Sequence, residues 1–462
     1  MTDARSTLVS ALRVPTYRKV FAAQVIALLG TGLATIALGL LAFDLAGAAA
    51  GEVLGTALAV KMIVYVTVSP LAGAHAARWP RTSALVALDL VRALAIGSIV
   101  FVTAVWQVYV LIAVVSACAA AFTPIFQATI PSVLPDSERY TAALSLSRLA
   151  YDLENLLSPL LAAALLMAVT IDALFAANTL AFLASAALVG AARLPERTHR
   201  TEHGGTSFGL REYAATPRLR ALFCLSSVAA LGGALAIVNT VVIVQGELGL
   251  AATSTALALG AFGAGSMLVA LALPRLLRVL EDRSLMLAGP FVVALGAGLA
   301  VGVERFAWLL PTWFVLGVGV SLVQTPAARL LLRSSREDNR TALFAAQFAL
   351  SHLGWLLAYV GAGWGGSLLG LPAVFMAASI LSVLLGLAAV WIWRGGDATT
   401  LYHEHAAVEH EHLHVHGPHH QHLHDGSEGP EPHSHPHRHE PLRHEHEFVI
   451  DPHHLRWPNA AR

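Results

Sequence analysis

The sequence predicts an all-α integral membrane protein with twelve transmembrane helices in two pseudo-symmetric six-helix halves, followed by a disordered cytoplasmic tail. Three observations lead to this fold class. Hydrophobic residues make up 56% of the 462-residue chain and charged residues only 13%, about half the charged fraction of a soluble protein. Long apolar stretches recur between positions 17 and 394. Eighteen of the 22 histidines (22 − 4) follow position 400.

The apolar stretches have the length of bilayer spans. A transmembrane helix needs about 20 mostly apolar residues, and this pattern occurs twelve times. The stretches are continuous, whereas barrel strands are short and alternate. The predicted spans are 17–43, 52–76, 83–105, 107–130, 144–168, 171–192, 220–245, 253–274, 284–303, 307–328, 341–368 and 372–393.

Basic residues gather on one side of these spans, which we call the arginine-rich side. Arg81, the segment Arg193–Arg220 and the segment Arg333–Arg340 lie on this side, and Arg305 lies on the other. Cytoplasmic loops retain basic residues, and short external loops rarely carry them. The pattern predicts a multi-pass membrane protein with both termini, and therefore the histidine-rich tail, in the cytoplasm.

Short segments of the first half recur about 200 residues later. Thr56–Val60 recurs as Thr255–Leu259, Arg139–Ala142 recurs less one residue as Arg340–Ala342, and Val20-Phe21 recurs as Leu222-Phe223. Paired halves are typical of secondary transporters that bind their substrate near the midplane. The predicted domains are an N-terminus at 1–16, a first half at 17–193, a linker at 194–217, a second half at 218–394 and a histidine-rich tail at 395–462.

Three segments resemble a known family. They are YRKVFAAQ (Tyr17–Gln24), GAHAARWPR (Gly73–Arg81) and DLVR (Asp89–Arg92). They resemble the major facilitator superfamily in its enterobactin-exporter-like branch, and with its tail the chain is most similar to the nickel-resistance exporters of that superfamily. The resemblance implies the major facilitator fold and alternating access. Ala77 stands where the family usually has an aspartate, so the usual charge relay lacks its acid here.

The fifth predicted span carries the densest set of polar residues. At 100° per residue, Arg148, Asp152, Glu154 and Asn155 share one side of the helix with Ser147, and leucines fill the opposite arc. Charged groups at membrane depth cost at least ~2.5 kcal/mol each on insertion scales. We therefore predict a cavity face whose carboxylates bind a divalent cation or carry protons. Alternatively, Arg148 and Asp152 form an intrahelical ion pair.

The repeat relates Asp152 to His352 and Ser147 to Gln347, so that both partners lie in the eleventh span. Carboxylate and imidazole together suit nickel, cobalt or zinc better than calcium or magnesium. We therefore predict Asp152, Glu154 and His352 as metal ligands. In the alternative interpretation, His352 packs against its neighbours and is hydrogen-bonded to Ser351 or Trp355.

Further polar residues are predicted at the same cavity. They are Gln24, Asn239 and Gln324. Interhelical hydrogen bonding is the alternative role of each. Asp89 with Arg92, and Lys61, are predicted to be structural ion partners.

The tail is predicted to bind transition metals. Its closely spaced imidazoles can bind one cation together, and its Gly, Pro and acidic residues provide no apolar face, so no stable fold is expected before metal binds. The alternative is a solvated, pH-sensing segment. The predicted ligands are His403, His405, His410, His412, His414, His416, His419, His420, His422, His424, His433, His435, His437, His439, His444 and His446.

These observations predict a transporter that exports nickel, with cobalt or zinc as alternatives, by proton antiport. The first alternative function is export of a siderophore, metallophore or drug, with a metal-sensing tail. The second is a membrane-anchored metal sensor that transports nothing. No phosphate-binding loop or nucleophile motif is found, so an enzyme is not expected. The expected partners are the divalent metal as substrate, protons and the lipid bilayer, without a cofactor or nucleic acid, and we expect a monomer.

Overall fold

The computed structural model describes most of the chain. The described residues are 10–46, 50–75, 79–166, 170–195, 207–336, 339–394, 400–405, 408–414, 433–439 and 442–447. Of these, the backbone alone is described for 32–46, 50–55, 57–58, 152–166, 171–172, 252, 367 and the segments after 394.

Twelve long helices form the body, as predicted. Nine of the described helices reach the length and hydropathy typical of a membrane span. A short linker helix, Phe208–Ala215, precedes the seventh. The long helices are α1 (Pro15–Ala46), α2 (Ala50–His75), α3 (Arg81–Gly97), α4 (Val105–Val133), α5 (Ser137–Leu166), α6 (Ile171–Ala192), α7 (Pro217–Val241), α8 (Ala252–Leu276), α9 (Asp282–Ala300), α10 (Phe306–Arg333), α11 (Arg340–Leu369) and α12 (Leu371–Ile392).

Local polar chemistry explains where some helices begin and end. α5 begins seven residues before its predicted start because the Asp136 carboxylate accepts a hydrogen bond from the Arg139 backbone nitrogen at 2.8 Å. Hydropathy cannot detect such a polar first turn. Gly370 separates α11 from α12 with φ +82°, which is a conformation that favours glycine.

The buried core follows the two predicted halves. One cluster includes Leu222, Trp313 and Phe375 of the second half. A separate cluster includes Tyr17 and Phe126 of the first half. The halves meet where α5 packs against α8 and where α11 packs against α2 and α4. A substrate site between the halves would therefore lie among these helices.

Glycines allow α8 and α10 to approach closely. A Cβ atom at Gly317 would overlap the backbone carbonyl oxygen of Phe262. We expect Gly317→Ala to lower the free energy of unfolding by about 1–3 kcal/mol because the backbone must shift. Gly361→Ala is the control, since no described atom outside its own stretch of helix lies within 4 Å of its Cβ position. Equal melting temperatures of the two variants in detergent would contradict this prediction.

The tail contains elements that the sequence did not predict. No stable fold was expected after 395 before metal binds, and the residues described there form four strands. They are β1 (Thr400–His405), β2 (Val408–His414), β3 (His433–His439) and β4 (Leu442–Glu447). β1 pairs antiparallel with β4, and β2 pairs antiparallel with β3. The His-X-His pattern has the two-residue period of a strand, although it provides no apolar face. His416, His419, His420, His422 and His424 lie outside the described residues.

Candidate functional site

Polar side chains from both halves lie at a similar depth in the body. Each is seven to fourteen residues from the arginine-rich end of its helix, or about 10–21 Å at 1.5 Å per residue. We call this set the polar layer. It comprises Gln24, Lys61, Ser147, Arg148, Ser226, Ser266, Gln324, Gln347 and His352.

Two hydrogen bonds of the polar layer repeat between the halves. Ser147 Oγ of α5 donates to Gln24 Oε1 of α1 at 3.1 Å. Gln347 Nε2 of α11 donates to Ser226 Oγ of α7 at 2.9 Å. In the first half the glutamine lies on α1 and the serine on α5, whereas in the second half the serine lies on α7 and the glutamine on α11. The repeat relates α1 to α7 and α5 to α11, so the two hydrogen bonds join equivalent pairs of helices. The equivalence of Ser147 with Gln347 predicted from the sequence is therefore reproduced in three dimensions, and Gln24 serves as an interhelical hydrogen-bond partner.

The linker helix also contacts the polar layer. The Tyr213 hydroxyl donates to Gln347 Oε1. Burial raises the pKa of the Tyr213 hydroxyl well above its ordinary value, so this hydroxyl keeps its proton. Gln347 thus links α7, α11 and the segment that connects the halves.

Arg148 joins the two halves within the polar layer. Its guanidinium extends from α5 and donates through Nε and Nη2 to Ser266 Oγ of α8 at 3.0 and 2.8 Å. Its Nη1 donates to Gln324 Oε1 of α10. The sequence pointed to Arg148 and Gln324 separately, and the structure brings them together. Ser266 was not predicted, because a single serine among small apolar residues gives no sequence signal.

His352 lies where α11 meets α2. Its Nδ1 is 2.7 Å from the Phe348 carbonyl oxygen one turn earlier. Its ring packs edge-on against Tyr65 of α2, with centroids 4.7 Å apart. The expected partners Ser351 and Trp355 were wrong, because the helical carbonyl lies closer to the ring nitrogen. A carbonyl can only accept, so Nδ1 carries the proton and Nε2 of the neutral ring has the lone pair.

Lys61 is placed near this histidine. Its Nζ lies 5.7 Å from the centroid of the Tyr65 ring, which in turn contacts His352. A cation over an aromatic face is stabilised by the ring quadrupole. Asp89 and Arg92, by contrast, form the predicted buried ion pair within α3, at 3.1 Å. Lys61 is therefore placed at the junction of the halves.

Several predicted residues are not tested by this geometry. The side chains of Asp152, Glu154 and Asn155 lie outside those described, so the ion pair between Arg148 and Asp152 stays a prediction. Asn239 is buried near the opposite end of α7, and its amide nitrogen has no described hydrogen-bond partner. Among the described side chains, no three His, Cys, Asp or Glu residues come together.

A second polar contact joins the halves at their arginine-rich ends. Arg329 Nη1 of α10 donates to Ser137 Oγ at 3.0 Å and to Thr141 Oγ1 at 2.9 Å, both in α5. Arg329 Nε and Arg333 Nη1 donate to Asp282 Oδ2 at 3.0 and 2.7 Å. We call these five residues the Arg329 cluster. Its contacts close the arginine-rich side in this conformer.

The Arg329 cluster was not predicted from the sequence. Of its two arginines, only Arg333 was used there, to orient the spans. Further contacts between the halves lie toward the same ends of the helices, from Ser69 Oγ to the Ala345 carbonyl at 3.0 Å and from Tyr140 Oη to the Ala328 carbonyl at 3.3 Å. The only signal available was an acid, Asp282, beside basic residues at a helix end.

A protein-family model and known structures match this chain. The family model described as Major Facilitator Superfamily matches residues 20–280 and 222–412. An uncharacterized MFS-type transporter, YfiS of Bacillus subtilis (strain 168), is 24% identical over 337 residues, which are 70% of this chain and 80% of that protein.

Solved structures share the fold at low sequence identity. The human organic anion transporter MFSD10 (TETRAN) has a TM-score of 0.70 at 14% identity, covering 82% of this chain and 99% of that one. A bacterial homologue of the iron transporter ferroportin, in an outward-facing state, has a TM-score of 0.65 at 17% identity, with coverages of 81% and 97%. The fucose:proton symporter FucP of E. coli has a TM-score of 0.63 at 11% identity, with coverages of 83% and 99%.

Proposed function

Because the chain belongs to the major facilitator superfamily, we propose that it is a secondary active transporter that exports a divalent transition metal by alternating access. Nickel is the favoured substrate, with cobalt or zinc as alternatives. Protons that return through the same protein drive the export. The arginine-rich side is the cytoplasmic side, and the membrane is the bacterial inner membrane.

The placement of His352 is the observation that carries this proposal. It lies at the junction of the halves, where alternating access requires the substrate site. Its Nδ1–H donates to the Phe348 carbonyl oxygen at 2.7 Å. In metal-binding histidines, a hydrogen bond from the ring nitrogen that does not bind the metal fixes the orientation of the ring. Nε2 can then bind a borderline divalent cation. Asp152 and Glu154 supply the carboxylates.

Proton coupling follows from the chemistry of these ligands. Imidazole and carboxylate bind a metal only after they lose their protons. A proton that arrives from outside therefore competes with the cation for the same lone pair. The Arg329 cluster joins the halves on the arginine-rich side, and the transport cycle requires a conformer that is closed there and open to the outside. In that state protonation releases the metal outside.

Flux of a free cation into inverted membrane vesicles tests the proposal. The arginine-rich side then faces the assay medium, and an imposed pH gradient that is acidic inside should drive radioactive nickel inward. Cobalt and zinc are tested in parallel. Collapse of the gradient with a protonophore should stop the uptake. Absence of uptake for all three metals, with the protein present in the vesicles, would contradict metal export.

Removal of the tail should matter most when metal is scarce. We propose that the tail captures metal and supplies it to the body, so deletion of 400–462 lowers the local metal concentration at the cavity. We expect a several-fold loss of nickel tolerance at low nickel and little loss near saturation. Growth across a nickel series measures this effect. Equal loss at every concentration would show that the tail is needed for folding instead.

A second candidate function is export of an anionic organic solute, such as a siderophore or metallophore. Lys61 and Arg148 favour it, because both are cations of the polar layer at the junction of the halves. One of the similar structures is that of an organic anion transporter. Vesicles that accumulate a labelled metallophore but no free nickel would favour this candidate, and Lys61→Gln should then reduce the uptake.

A further inference from the structure

The two strand pairs of the tail share a single register. In β1 and β4, Thr400 is paired with Glu447 and His405 with Leu442. In β2 and β3, Val408 is paired with His439 and His414 with His433. The residue numbers of the two partners add up to 847 in every pair of both ladders. Because this sum is constant along an antiparallel hairpin, both ladders have the register of one hairpin. The described strands, 400–405 with 442–447 and 408–414 with 433–439, therefore share one register.

This register places histidine opposite histidine four times. The pairs are His403 with His444, His410 with His437, His412 with His435 and His414 with His433. We call each pair a rung. A slip of one residue would put the β2 histidines opposite Ser434, Pro436 or Arg438 instead. The pairing of like residues thus depends on this register.

We infer that the rungs are inter-strand binding sites for a divalent transition metal, so that metal fastens β1 and β2 to β4 and β3. Residues opposite one another in an antiparallel pair have Cβ atoms about 4.5–5.5 Å apart. Two imidazole nitrogens at about 2.0–2.1 Å from one cation fit between such positions. This inference rests on the proposed function, because it assigns to the tail the metal that the body exports.

Three of the rungs are neighbours on one face of the β2–β3 ladder. They follow one another every second residue, which is a spacing of about 6.8 Å. One rung supplies two imidazoles to one cation, and water completes the coordination of the cation. A two-stranded hairpin is marginally stable on its own, so metal that binds across it also stabilises its fold. Capture of metal and folding of the tail are then the same event.

A comparison of two double variants tests the register. His412→Ala with His435→Ala removes one rung and leaves three. His412→Ala with His433→Ala also removes two histidines, one from each strand, but breaks two rungs. We measure nickel bound per full-length chain in detergent below saturation and subtract the binding of a chain that lacks 400–462. The second variant should lose about twice as much bound nickel as the first.

Equal losses in the two variants would overturn the inference, because a disordered tail responds only to the number of histidines. That result leaves the proposed function intact, since nickel flux into vesicles is measured separately. If the chain without 400–462 binds as much nickel as the full chain, the inference also fails. Flux that fails while the twofold difference persists would overturn the proposed function alone.

Spin labels give a second measurement that does not depend on affinity. Glu409 is paired with Arg438. Ser434 lies four residues before Arg438 in β3, which is about 14 Å along the strand. Nitroxides at Glu409→Cys and Arg438→Cys should show strong dipolar broadening with the diamagnetic Zn²⁺. Labels at Glu409→Cys and Ser434→Cys should show clearly less. Both pairs use a background of Cys118→Ala and Cys224→Ala, and equal spectra would overturn the register.

Discussion

Asp152→Asn is expected to abolish nickel efflux and to leave the protein folded in the membrane. The substitution keeps the shape of the side chain and removes the charge that binds both metal and proton. Asp152 lies one helical turn beyond Arg148, which the structure places at the junction of α5, α8 and α10. Mutation of a residue that only orients a metal ligand lowers metal affinity or activity by about 10–100-fold. Because Asp152 is proposed as a direct ligand, we expect Asp152→Asn to lower nickel flux by about 100-fold or more.

The measurement for Asp152→Asn is nickel uptake by inverted vesicles at matched protein abundance. Asp152→Glu is the control that keeps the charge, and it should retain part of the flux. Unchanged flux in Asp152→Asn would remove this residue from the site.

A double variant distinguishes the metal ligand from the ion pair. If Asp152 only neutralises Arg148, then Arg148→Gln combined with Asp152→Asn should restore the flux that Asp152→Asn loses. If Asp152 binds metal, the double variant stays inactive. Ser266 and Gln324 accept from Arg148 in the present conformer, so Arg148→Gln alone also tests the contact between the halves.

The sequence predicted the helices and their repeat because both depend on local patterns. Hydropathy over 20 residues locates a span, and the matches at an offset of about 200 located Ser147 and Gln347. Which residues meet across the halves could not be predicted. The contact of Arg148 with Ser266 depends on the rotation of α5 and α8 about their axes, which tertiary packing determines. The Tyr65 contact of His352 has the same origin.

In the tail, a local pattern was present but its secondary structure was not predicted from it. Its alternating histidines were predicted to be ligands, but their period of two was not interpreted as a strand. Composition argued against a fold, since no apolar face is available to β2 or β3. The register that pairs His410 with His437 becomes apparent only when two distant segments are compared in reverse order.

Asp282→Asn is expected to open the arginine-rich side and to destabilise the protein. Asp282 has a side chain that is only 2% exposed, and it accepts from both Arg329 and Arg333. The neutral amide leaves two arginines at this contact without their shared carboxylate. Removal of one partner from a buried ion pair costs about 3–5 kcal/mol. Arg329 also donates to Ser137 and Thr141 of the first half. Part of the lost free energy therefore destabilises the contact between the halves, which favours opening of the arginine-rich side.

Two measurements separate the stability of the second half from the closure between the halves. The melting temperature in detergent reports the stability of the second half. Labelling of Leu277→Cys, which lines a cavity between α5 and α8, by a polar thiol reagent reports the closure between the halves. Glu138→Gln is the matched control, because Glu138 is 74% exposed and lies 3.9 Å from Arg278. Exposed ion pairs contribute about 0–1 kcal/mol, so this control should change neither measurement appreciably. A lower melting temperature for Asp282→Asn without faster labelling would mean that Asp282 supports α9 and α10 only, and that the hydroxyls of α5 keep the arginine-rich side closed without it.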